Sequence, residues 1–179
     1  MNGEYMKQMA AEQLAERLLP LLVEAGLMEQ QPSAQRWQWL VQVVDLMKER
    51  TPLLTTFVTW GRYFFTDDYE YENRARQKWL NREDTPEKLE TLAERLQLLE
   101  SWDSQSIEEA VRGMAEELGL SAAKVIHPCR AAVTGTTIGP SLFHLMKLLD
   151  QDDVVRRLQR TAQLAQAGEL VPLPEEENG

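Results

Sequence analysis

Apolar residues along this chain recur at intervals of three and four, and no stretch alternates with a period of two. That is the signature of amphipathic helices rather than strands. Helical pattern begins by about Lys7, and Leu14, Leu18, Leu21 and Leu22 keep its spacing up to Gly26. Pro20 is expected to divide that run in two, because a proline removes a donor and crowds the carbonyl four residues back. Ser33 predicts an N-cap for a helix to about Glu49, with Trp37, Leu40, Val41, Val44 and Met47 on one side. Thr51-Pro52 repeats the start signal for a helix carrying Leu53, Leu54, Phe57 and Trp60 and ending near Gly61 or Phe65. Asp67 to Glu70 reads as an acidic turn, and Asn73 to Leu80 as a short helix holding Trp79. Thr85-Pro86 opens a helix with Leu89, Leu92, Ala93, Leu96 and Leu99 in phase. Asp103 or Ser104 caps another, with Ile107, Val111, Met114 and Leu118 in phase and Gly119 as its stop. Further helices are predicted over Leu142 to Leu149 and from Asp152 or Asp153 to about Ala165. The fold class is therefore all-α, an irregular bundle of short amphipathic helices. No fixed repeat argues for a solenoid.

The least generic passage is Lys124 to Phe143. Val125, Ile126, Cys129, Ala132 and Val133 share a helical face, and Pro128 is expected to kink or restart that helix. Gly135 stops it, as a residue that tolerates positive φ. A short hydroxyl-rich loop, Thr136 to Gly139, follows, and Pro140 is expected at the first turn of the next helix. Arg130 stands one turn before the loop. An arginine beside free helix N–H groups suits a phosphate or a base edge. Such a corner is more often plain architecture, so this geometry alone decides nothing.

The chain has 179 residues and a net charge of −10, with 43% hydrophobic residues, enough for a sizeable core. The charge is uneven. Residues 121–165 carry Lys124, Arg130, Lys147, Arg156, Arg157 and Arg160 against only Asp150, Asp152 and Asp153. A local basic face of that kind can meet phosphate on an acidic protein. The tail beyond Gly168 ends in acidic residues and reads as disordered. No run nears the roughly 18 apolar residues of a membrane span. The polar start lacks a signal-peptide pattern. The lone Cys129 fits a reducing, cytoplasmic setting.

Catalytic groups are sparse. Two histidines and one cysteine make no zinc spacing, and Gly135 to Gly139 lacks the lysine of a phosphate loop. His127 and Cys129 stand two apart on a helix and do not face each other. Paired carboxylates such as Glu108-Glu109 read as a solvated face.

Several spaced pieces nevertheless match a known family in order. They are Asn2-Gly3-Glu4-Tyr5, Leu14-Ala15-Glu16-Arg17, Glu24-Ala25-Gly26-Leu27, Met47-Lys48-Glu49-Arg50, Arg62-Tyr63-Phe64-Phe65 and Arg112-Gly113 with Gly119. Most specific is His127-Pro128-Cys129-Arg130-Ala131-Ala132-Val133-Thr134-Gly135, followed at the right distance by Pro140-Ser141-Leu142-Phe143. Over nearly all of residues 1–165 the chain resembles the C-terminal anticodon-binding region of bacterial glutamyl-tRNA synthetase. The resemblance implies an α-helix cage of two helical subdomains. Residues 1–66 would form the first, with a remnant of the stem-contact region. Residues 67–165 would form the second, and 166–179 a disordered acidic tail. It implies a partner, the anticodon loop of glutamate tRNA. Arg50 matches the arginine that contacts the third anticodon base, and Arg112 and Arg130 match contacts to loop nucleotides. Gly139, Pro140, Ser141 and Leu142 match the segment that cradles the first anticodon base. There the family often has Thr-Pro-Gly-Leu, and Gly139 lacks the threonine hydroxyl.

The family's catalytic half carries a His-Ile-Gly-His-like motif and a Lys-Met-Ser-Lys-Ser-like motif, and neither occurs in this sequence. No cofactor is therefore expected in this chain, ATP belonging to a catalytic domain, and the chain alone is expected to be inactive. The stub-like start, Met1 to Tyr5, favours a fragment of a longer synthetase over a stand-alone module. A monomer is expected. The rival expectation is an all-α protein-interaction module, and the basic residues of 121–165 are the feature that separates the two.

Overall fold

In the computed structural model the described residues are Glu4, residues 8–50 and residues 54–175. Among them are helices and no strand. Helix α1 spans Ala11–Glu24, α2 Ala34–Met47, α3 Leu54–Thr59, α4 Asn73–Ala75, α5 Thr85–Gln97, α6 Ser104–Glu117, α7 Ala123–Thr134, α8 Leu142–Leu148 and α9 Gln151–Gln166. A 3-10 turn occupies Arg62–Phe64, and a π-helical turn, Arg76–Leu80, continues α4.

The chain divides into two compact units. The first comprises Met1–Tyr69 with Gly139–Leu149, and the second Glu70–Ile138 with Asp150–Gly179. The division is thus not the expected linear one at residue 66. The segment Gly139–Leu149 leaves the second stretch of sequence and clusters with the first unit. Its anchor is visible: Trp39 Nε1 on α2 donates to the Leu148 carbonyl at 2.7 Å.

In the first unit α1 packs on α2 and α3, and α2 on α8. Leu14, Leu18, Leu22, Leu40, Val43, Val44 and Phe57 are fully buried. Ser33 caps α2 as expected, its hydroxyl accepting from Arg36 N at 3.1 Å. The start signal at Thr51-Pro52 lies outside the described residues. Trp60, expected on the apolar face of α3, is 57% exposed. The chain turns away at Gly61, where a Cβ would meet the Phe57 carbonyl at 2.9 Å.

Helix α1 does not break at Pro20. The proline is exposed, on the side opposite the buried Leu14, Leu18 and Leu22. Glu16, whose carbonyl loses its partner, also lies on the exposed side, while packing of the buried stripe holds both turns together.

In the second unit α9 is central, packed on α5 and α7, with α6 against both α5 and α7. Asp103 caps α6, Oδ1 accepting from Ser106 N at 2.8 Å. Leu118, expected in phase with the core, is 51% exposed at the C-cap of α6. Helix α9 begins one or two residues earlier than the aspartates suggested, at Gln151 with Asp150 as N-cap. Asp152 and Asp153 fall in its first turn, where the helix dipole favours acidic groups. The expected disordered tail is placed as far as Glu175. Leu170 is buried beside Ala75, Leu80 and Ala131. Arg76 Nη1 donates to the Glu169 carbonyl, and Asn73 pairs with both backbone groups of Leu173.

Candidate nucleic-acid interface

Arg50 lies in the first unit, in the turn just past α2, with its N–H donating to the Met47 carbonyl at 2.9 Å. It is exposed, so its guanidinium is available to a ligand. In the same unit Pro140 is buried and stands one residue before the N-cap of α8. It does not occupy the first turn as expected: Ser141 is the cap and the helix starts at Leu142. The Leu142 side chain is in the core, 2% exposed. Ser141 is exposed, with its hydroxyl 3.0 Å from His144 Nδ1. Gly139 is half-buried. The outward-facing side-chain chemistry of this segment therefore belongs to Ser141 and His144.

Arg130 and Arg112 lie in the second unit. Helix α7 runs through Pro128 without a restart. Pro128 is buried among the core positions of α7, and Lys124, left without its i+4 donor, is exposed. The C-terminus of α7 is fixed from three directions. Gly135 adopts φ 77° and its N–H returns to the Ala131 carbonyl. Arg157 Nη1, on α9, donates to the Val133 carbonyl at 2.9 Å. Glu72 N donates to the Gly135 carbonyl at 2.8 Å. These bonds occupy carbonyls that a helix end leaves without internal partners. They hold half-buried Arg130, one turn back, in a defined place. Arg112 is exposed on α6 and pairs with Glu108 Oε2 at 2.9 Å.

The basic residues of 121–165 differ in burial and pairing. Arg157 is 2% exposed and serves α7. Arg156 pairs with Asp153 at 2.6 Å. Lys147 belongs to the first unit, and Lys124 is exposed in the second.

A pair that the sequence did not single out stands next to Arg130. Trp79 of the π-helical turn stacks on His127 of α7, ring centroids 4.8 Å apart and planes inclined by 18°. Both rings are half-buried. Arg82 Cζ lies 6.0 Å from the Trp79 ring centroid. Burial, with the positive charges of Arg130 and Lys78, holds the His127 imidazole below its ordinary pKa and hence neutral near pH 7. In the sequence His127 stood out as the head of the most specific motif and as a neighbour of Cys129, and nothing there paired it with Trp79. Cys129 is fully buried, which pushes its thiol up to about 12, so it is no nucleophile.

The model of the family described as anticodon binding domain matches residues 13–162. The chain belongs to that family. Among curated relatives, this member is 32% identical over 161 residues to the glutamate–tRNA ligase of Moorella thermoacetica, covering 90% of this chain and 33% of that one. It is 37% identical over 161 residues to the glutamate–tRNA ligase of Thermus thermophilus, covering 89% and 33%. The anticodon binding domain chain thus spans about a third of the length of these relatives. The fold matches a crystal structure of a glutamate tRNA ligase from Elizabethkingia meningosepticum with a TM-score of 0.78 at 23% identity, over 90% of this chain and 31% of that one. No helix among the described residues is long and apolar enough to cross a membrane.

Proposed function

We propose that this chain grips the anticodon loop of glutamate tRNA as the anticodon-binding part of a glutamate–tRNA ligase, so that the acceptor end reaches a catalytic domain. The observation that carries the reading is the family match over residues 13–162, joined to glutamate–tRNA ligases as its relatives. The exposed guanidiniums of Arg50 and Arg112 and the fixed position of Arg130 support it. Single-stranded loop bases are read by splaying them onto side chains and backbone groups, and arginine offers a planar fork of donors. Gly139 to Leu142 takes the first anticodon base, with Ser141 as its exposed hydroxyl. The chain acts as a monomer, and ATP and glutamate are handled elsewhere.

Titrating labelled glutamate tRNA at two salt concentrations tests the proposal. Weak binding that falls with salt is expected, because few basic residues meet phosphates and the net charge of −10 repels RNA. No binding at either concentration contradicts it.

A further inference from the structure

Packing accounts for only the inner side of the Trp79–His127 pair. Trp79 rests against the buried cluster of Ala75, Leu80, Ala131 and Leu170. Its outer part, and that of His127, reaches solvent. Among the described residues, neither the indole Nε1 nor either imidazole nitrogen has a hydrogen-bond partner. The surroundings are cationic. Lys78 and Arg82 are both exposed, Arg82 Nε donates to the Lys78 carbonyl at 2.6 Å, and Arg130 is one turn along α7 from His127. A stacked planar pair with open polar edges, ringed by cations on an acidic protein, has the chemistry of a single-stranded nucleotide contact.

We propose that the Trp79–His127 pair receives one unpaired base of the RNA loop, with His127 hydrogen-bonding the base edge and Lys78 and Arg82 meeting the adjoining phosphates. This rests on the anticodon-loop reading and adds residues that the resemblance did not assign. A neutral imidazole offers one donor and one acceptor, so it matches a base edge as a charged one would not. The stack on Trp79 fixes the ring plane before the base arrives.

Two RNAs separate this inference from the reading beneath it: a hairpin carrying the anticodon stem and loop of glutamate tRNA, and its stem as a blunt duplex. His127→Phe keeps the stacked ring and removes the polar edge. It is expected to weaken hairpin binding roughly fivefold to tenfold, the size of one lost hydrogen bond and the group it leaves unpaired. Duplex binding and thermal midpoint stay at wild-type values, and His127→Asn, which keeps a donor and an acceptor, recovers part of the loss. Equal hairpin binding by wild type and His127→Phe overturns the inference alone. A wild-type protein that ignores the hairpin overturns the anticodon-loop reading, and this inference with it. The exposed pair Lys78→Gln and Arg82→Gln carries the test should His127→Phe fail to fold. Together they should lower the slope of log affinity against log salt by about two. An unchanged slope overturns the phosphate contacts.

Discussion

At the scale of single residues, Arg50 carries the sharpest consequence of the proposed function. It is exposed in the turn after α2, its N–H held by the Met47 carbonyl. If it reads the third anticodon base, it donates to O2 and N3 of cytosine. Guanine there, as in glutamine tRNA, presents donors at N1 and N2. Donor against donor loses the bonds and strands the groups, about 1–3 kcal/mol each. Arg50→Gln, which both donates and accepts, should relax discrimination between the two tRNAs more than it weakens binding. Equal loss for both would reduce Arg50 to a phosphate or structural contact. His127 gives a consequence for stability. Its folded pKa lies below the ordinary 6.5, so the unfolded chain takes up that proton first as pH falls. Its contribution is intact above about pH 6.5 and is lost below it, toward the folded pKa. Urea unfolding at about pH 7.5 and pH 5.5 should show a smaller acid loss in His127→Asn than in wild type. The sequence showed His127 as part of a motif and Arg157 as one of a basic count. What they do depends on Trp79 and on the Val133 carbonyl, both distant in sequence, and no local spacing reveals such partners.

Helix starts were the most legible elements, because a cap is a local bond. Ser33 and Asp103 both accept from the N–H three residues on. Asp103→Ala should therefore cost about 1 kcal/mol, read as a lower urea midpoint at unchanged slope. Prolines were less legible. Pro20 and Pro128 each break one backbone bond, a local cost. Each helix survives because its buried stripe, such as Leu14, Leu18 and Leu22 in α1, binds both sides of the proline to one core. Tertiary packing decides such contests, and the sequence window does not contain it. The end of α7 shows the same dependence. Arg157→Met keeps the volume but removes the bond to the Val133 carbonyl. It should destabilise by about 1.5–3 kcal/mol, as expected for a bond to a charged group.

At the scale of the whole molecule, the helical class followed from periodicity, whereas the division into units did not. Gly139–Leu149 belongs with the first unit through contacts such as Trp39 to Leu148, which a linear reading of charge and punctuation cannot contain. The candidate site was legible through ordered family motifs. The basic count of 121–165 was a coarse guide, since Arg157 is buried and Arg156 pairs with Asp153. The most direct test of the central proposal is competition. Labelled glutamate tRNA is bound to the chain, then challenged with its isolated anticodon arm or with its isolated acceptor arm. The account predicts displacement by the anticodon arm at concentrations where the acceptor arm has no effect. Equal displacement by both arms, or displacement by the acceptor arm alone, would contradict it.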